Sequence, residues 1–182
     1  MKLHLMKLLH RTLALLLLSL STPVHGADSW QKDGKPAANT ASMKSKAGFG
    51  AQLFLTQEPG VLDKWNTPEP PKITPVTIAR RDSPVITVLL FAGAGVSSSG
   101  RADVTCDFIA YKPDGSVYGK QLNAVVWKRA VLKQSGIQLS EGYMGIRIEP
   151  KDPPGKYKVE ARVHDHIKKV DLVLKTTFQV PR

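Results

Sequence analysis

Past Phe49, apolar residues recur at every second position in short bursts. The first is FGAQLFLT, where Phe49, Ala51, Leu53 and Leu55 share one side. PVITVLLFAG (84–93), ADVTCDFIAY (102–111), VYGKQLNAVVW (117–127), an interrupted GIQLSEGYMGIRIEP (136–150), YKVEARVHD (157–165) and VDLVLKTTFQV (170–180) follow. A two-residue period is the signature of a strand with one buried face. Between two bursts stands KPDGS, in which proline presets a turn torsion, aspartate tolerates the next and Gly115 takes a positive φ. The pattern predicts about seven short antiparallel strands, hardly any helix, and a β-sandwich.

The stretch PVITVLLFAG is apolar on both sides, with Val85, Leu89 and Phe91 on one and Ile86, Val88 and Leu90 on the other. An antiparallel sandwich strand normally keeps one side wet. The segment from Phe49 to Trp65, including a short helical turn in EPGVLDKW, is therefore expected to fold over the second side. TPEPPKITP, with four prolines in nine residues, reads as an extended connector without ladder donors.

Ahead of Phe49 the period vanishes. Lys2, Lys7 and Arg11 precede the apolar run TLALLLLSLS and the small-residue stretch STPVHG, the layout of a secretory signal peptide cut between Gly26 and Ala27. That run is short for a span of roughly 20 residues, so no transmembrane segment is expected in the mature chain. Residues 27–47 are small and polar and read as a flexible leader. The expected organisation is signal peptide 1–26, leader 27–47, strand, turn and proline-rich connector 48–75, and β-sandwich 76–182. Export to the periplasm is expected, with secretion as the second choice.

Removing the first 26 of 182 residues takes three of the 26 basic side chains, leaving 23 against 15 acidic, a net charge of +8. Such a charge favours anionic cell-surface polymers. The cations are scattered as pairs, without interleaved exposed aromatics, so specific nucleic-acid binding is not expected. Cys106 is the single cysteine and shares an apolar face with Val104, Phe108 and Ala110, which predicts a buried, inert thiol and no internal disulfide.

Within DPPGKYKVEARV, Asp152, Gly155 and Tyr157 stand as D-x-x-G-x-Y ahead of alternating Val159, Ala161 and Val163. This resembles the tyrosine corner of immunoglobulin-like domains, in which a tyrosine opening a late strand bonds back across the preceding loop. The paired cysteines of antibody domains are absent, so the likeness is to the bacterial and macroglobulin-type members. The chain is also similar to small exported bacterial proteins of uncharacterised role that carry an FGAQL-like start and KPDGSVYG. The resemblance implies an immunoglobulin-like sandwich and brings neither an activity nor a cofactor.

In that register His164 and His166 point outward together, within reach of one metal ion, while Asp165 points the other way. Two donors under-fill a copper or zinc site, so the pair is the weaker alternative. A Ser-His-Asp triad would need its base aimed at a nucleophile from this exposed rim. GAGVSSSG (93–100) lacks the Gly-Lys-Ser/Thr of a phosphate loop. The reading is a non-enzymatic binding or scaffolding module of the bacterial envelope whose partner is an envelope protein or anionic polymer. Its candidate surface holds Trp127, Lys128 and Arg129, extended to residue 133, with loop 93–100, residues 118–120 and the 166–169 turn bearing Lys168 and Lys169. A cell-wall or carbohydrate-binding domain built around Trp127 is the remaining alternative.

Overall fold

The computed structural model describes residues 30–32, 35–58, 60, 62–65, 72–130 and 136–182. The signal peptide, most of the proline-rich connector and residues 131–133 of the candidate surface lie outside them. Eleven strands are described: β1 (Gln31–Lys32), β2 (Lys35–Pro36), β3 (Met43–Lys46), β4 (Phe49–Thr56), β5 (Pro84–Ala92), β6 (Val104–Tyr111), β7 (Val117–Trp127), β8 (Gln138–Leu139), β9 (Gly145–Arg147), β10 (Gly155–Asp165) and β11 (Val170–Val180). No described residue is helical.

β1 and β2 form a small ribbon. The rest make two antiparallel sheets, one of four strands in the order β11-β10-β6-β7 and one of five, β3-β4-β5-β8 with β9 also on β5. The alternating residues read from the sequence meet between them. Phe49, Leu53, Leu55, Val85, Leu89 and Phe91 from one sheet face Val104, Cys106, Phe108, Tyr157, Val159 and Leu174 from the other, all nearly excluded from water. Each large apolar side chain so buried contributes roughly 1.5–3 kcal/mol.

The two sheets hold nine strands against the expected seven, for two physical reasons. The interrupted 136–150 segment is two strands because its middle leaves the five-stranded sheet. Glu141 and Gly142 donate backbone N–H groups to Val126 and Val125 of β7 instead, at 3.1 and 2.8 Å. A Cβ on Gly142 would lie 2.7 Å from the Val125 carbonyl, so only glycine makes that crossing. The second extra strand, β3, pairs with β4 and arises inside the segment read as a flexible leader.

The second face of β5 is covered only in part by the segment expected to cover it. β4 lies beside β5 in the same sheet, Leu53 opposite Leu89, rather than over it. Val88 and Leu90 are instead packed by Trp30, Met43 and Ala37 from the leader, by Leu62 and Trp65 from the turn after β4, and by Ile73. Trp30 is 7% exposed. The expectation of a flexible leader is therefore corrected for its described residues. Its few apolar side chains are spaced without a period, which hid their common target.

Candidate functional site

The corner residues occupy the loop into β10. Gly155 has φ +136°, and a Cβ there would come within 2.8 Å of the Pro113 ring, so both torsion and space require glycine. Two residues on, the fully buried Tyr157 donates its hydroxyl to the Pro153 carbonyl at 2.9 Å. Its ring stacks on Phe178 and meets Tyr118 edge-on, centroids 5.3 and 5.7 Å apart. The Asp152 carboxylate accepts the Tyr118 hydroxyl and, at 2.8 Å, the Glu149 N–H. Burial works to raise the Asp152 pKa, but the Tyr118 and Glu149 hydrogen bonds outweigh it and hold the carboxyl below its ordinary value. Burial, then the bond to Asp152, pushes the Tyr118 phenol up.

Arg81 completes the corner. Its guanidinium donates to the carbonyls of Glu149 (2.8 Å), Asp152 (3.0 Å) and Pro181 (3.1 Å). These partners lie 68 to 100 residues away, so no local pattern announces them. The cluster is a structural clamp, buried at Tyr157 and partly exposed at Arg81, Glu149 and Asp152.

The histidines lie at the far end of β10. Their rings are near-parallel, 6.3 Å between centroids. His164 Nδ1 bonds Asp171 at 2.7 Å, and its Nε2 faces Asp107 at 3.9 Å. His166 Nε2 bonds the Thr105 hydroxyl at 2.9 Å. Asp165 points inward, 1% exposed, and accepts backbone N–H groups from Gly95, Ile167 and Lys168. It ties loop 93–100 to the β10–β11 turn. Among the described residues no three His, Cys, Asp or Glu side chains converge as a metal-ligand set. Cys106 is buried, and desolvation, then the Asp107 charge, pushes its thiol up, away from the reactive thiolate.

The candidate surface residues do not form one patch. Lys128 pairs with Asp103 at 3.4 Å, beside an open depression lined by Ser97, Ser99 and Arg101. Lys168 donates to the Ala47 carbonyl at 3.0 Å, and Lys169, with φ 56°, caps the exposed turn. Trp127 and Arg129 border a different feature. There the end of β7, β8, the 140–143 crossover and the turn 62–65 enclose a cleft of about 230 Å³.

Trp127 is only 4% exposed, its edge against Phe91. The Arg129 guanidinium covers its ring at 4.2 Å and ion-pairs with Glu141 at 2.8 Å. Trp127 is therefore the floor that positions Arg129, and its ring face is not free for a ligand. The aromatics that present surface to the cleft are Trp65, half-buried, and Tyr143, 50% exposed. Sequence reasoning missed both as site residues, although Tyr143 in SEGYMG stands out as an aromatic in a small-residue crossover.

No protein-family model matches the chain, and no curated protein sequence does. Among solved structures it is similar to a family 123 glycoside hydrolase from Clostridium perfringens, known from work on glycolipid glycan hydrolysis (12% identity, TM-score 0.41, 74% of this chain and 27% of that one). It is also similar to the alkylpurine DNA glycosylase AlkC from Pseudomonas fluorescens (11%, 0.36, 58% and 28%). A third likeness is to a Niemann-Pick type C2 protein from Japanese carpenter ant (10%, 0.38, 71% and 89%). The chain spans under a third of the length of the first two. None of these likenesses assigns it an activity.

Proposed function

We propose that the chain is an exported, non-catalytic immunoglobulin-like binding module of the bacterial envelope, which engages its ligand at the cleft beside Trp127. The immunoglobulin-like assignment is supported by the Tyr157–Pro153 hydrogen bond and by the chain's path. β10 and β11, the last two strands, share one sheet with β6 and β7 in the order β11-β10-β6-β7, while β3, β4, β5, β8 and β9 form the other. The non-catalytic reading is supported by the engagement of the reactive side chains: Cys106 in the core, both His164 nitrogens turned to carboxylates, His166 on Thr105. The Thr105 bond to His166 Nε2 takes one of the donors that a copper or zinc pair at His164 and His166 would need.

The observation that carries the proposal is the cleft itself. It gathers half-exposed aromatic surface and a paired Arg129–Glu141 at a crossover whose backbone is held by both sheets. Small-molecule and polymer sites combine apolar walls with a few placed polar groups in this way. Cross-linking in living cells followed by mass spectrometry tests the reading. It is upheld by adducts between this chain and an envelope protein or polymer, and overturned if the chain is recovered without any envelope partner.

A further inference from the structure

We infer that the cleft takes a neutral sugar ring of an envelope glycan, rather than the anionic groups that the net charge of the chain would draw. The inference rests on the proposed binding role. At about 230 Å³ the cleft is below the roughly 300–1,000 Å³ of pockets that enclose a drug-sized ligand, so it suits one ring of a longer chain.

Charge decides the chemistry. Of the side chains lining the cleft, Asp63 and Glu141 are acidic and Arg129 is basic, two carboxylates against one guanidinium. The cation is already committed to Glu141 and to the Trp127 ring. A phosphate or carboxylate would meet a locally acidic site despite the basic protein around it. A neutral polyol would meet no such penalty.

The surfaces match a pyranose in kind. Leu62, Trp65 and Leu139 give apolar wall, and Tyr143 adds an exposed ring. A pyranose has apolar C–H faces that pack on aromatic rings and a rim of hydroxyls that both donate and accept. The Arg129–Glu141 pair, with the Gln138 amide, supplies donors and acceptors for that rim. Arg129 is held in place from below, so little side-chain entropy is lost on binding.

The test is titration of the mature protein with chitotetraose, cellotetraose and soluble glycan strands released from cell-wall sacculi, in dilute buffer and in about 0.5 M NaCl, where charge attraction is screened. At least one should bind saturably in both buffers. Tyr143→Ala and Glu141→Gln should each weaken binding about tenfold, roughly 1.4 kcal/mol, and Lys156→Gln, exposed on β10, should not change it. Tyr143 is half exposed, so its replacement leaves the fold intact, and an unchanged melting temperature confirms this. Absence of binding by all three glycans, loss of binding in salt, or full binding by Tyr143→Ala overturns the inference. If in-cell cross-links then join this face to an envelope protein, the binding-module reading stands and the glycan assignment alone falls.

Discussion

The guanidinium of Arg129 lies 4.2 Å from the ring centre of Trp127 and holds Glu141 at 2.8 Å on its other flank. This relationship converts a tryptophan that reads as a binding platform into a support for a polar pair. It shifts the ligand-facing role to Tyr143 and Trp65. The ion pair itself is partly exposed and adds about 0–1 kcal/mol to stability. Its larger consequence is the fixed position of two polar groups at the cleft.

Removing the corner hydroxyl should cost stability without altering the fold. Tyr157→Phe keeps the stack on Phe178 and deletes the bond to Pro153. A loss of about 1–2 kcal/mol is expected from denaturant unfolding. A change within error would mean that the hydroxyl is not a structural tie.

Glycine positions with positive φ should not be equal. Gly155→Ala meets both the torsion and the Pro113 ring at 2.8 Å, whereas at Gly100, φ +75°, a Cβ would meet nothing within 4 Å. The cost of Gly155→Ala, about 2–4 kcal/mol, should exceed that of Gly100→Ala, about 1–2 kcal/mol. Equal midpoint shifts in urea would show that the close approach to Pro113 adds nothing to the torsional cost.

Two carboxylates should make the sandwich acid-sensitive. Glu160 sits on the outer face of the four-stranded sheet, yet is 6% exposed beneath Arg162 and Lys175. Burial works to raise its pKa, but the hydrogen bond and charge of Arg162 and the charges of Lys175 and Lys158 bring it below the ordinary value. Asp152 is likewise lowered. A group with a lowered folded pKa adds stability that is complete above its unfolded pKa, about 4, and is lost as pH falls through the folded value. Melting temperature should therefore fall below about pH 4, and less steeply in Asp152→Asn and Glu160→Gln. Parallel acid curves for wild type and both variants would refute this.

Cys106 should resist thiol reagents in the native state and react only as the protein unfolds, because burial and Asp107 disfavour its thiolate. Labelling rates measured across a urea series check this. Rapid native labelling would place the thiol outside the core.

Trp30→Ala should uncover the second face of β5, where Val88 and Leu90 are nearly excluded from water. Truncating a large buried aromatic costs about 3–5 kcal/mol. A lower melting temperature with increased hydrophobic-dye binding is expected. An unchanged melt would return the segment to the status of a loose leader.

Legibility in the sequence followed the reach of each interaction. β10, β11 and the hairpin between β6 and β7 were readable because a two-residue period and KPDGS are local signals. The Asp152–Gly155–Tyr157 corner was readable because its motif spans six positions. Arg81 was not, since its acceptors are carbonyls brought together only by folding. Glu160 alternates outward as expected, and only the long side chains of its neighbours bury it. The split into β8 and β9 followed from backbone bonds to the opposite sheet, which no apolar period records. The cleft was half legible: Trp127 and Arg129 are adjacent to it, while Trp65 and Tyr143 join them only through tertiary packing.

The most direct measurement is site-specific photo-cross-linking in living cells, with the reactive side chain placed at position 143 in one strain and at Lys175, on the outer face of the four-stranded sheet, in another. Ligand engagement at the cleft requires strong adducts from position 143 and few from 175. Equal adducts from both positions, or adducts from 175 alone, would contradict the assignment of the cleft as the binding face.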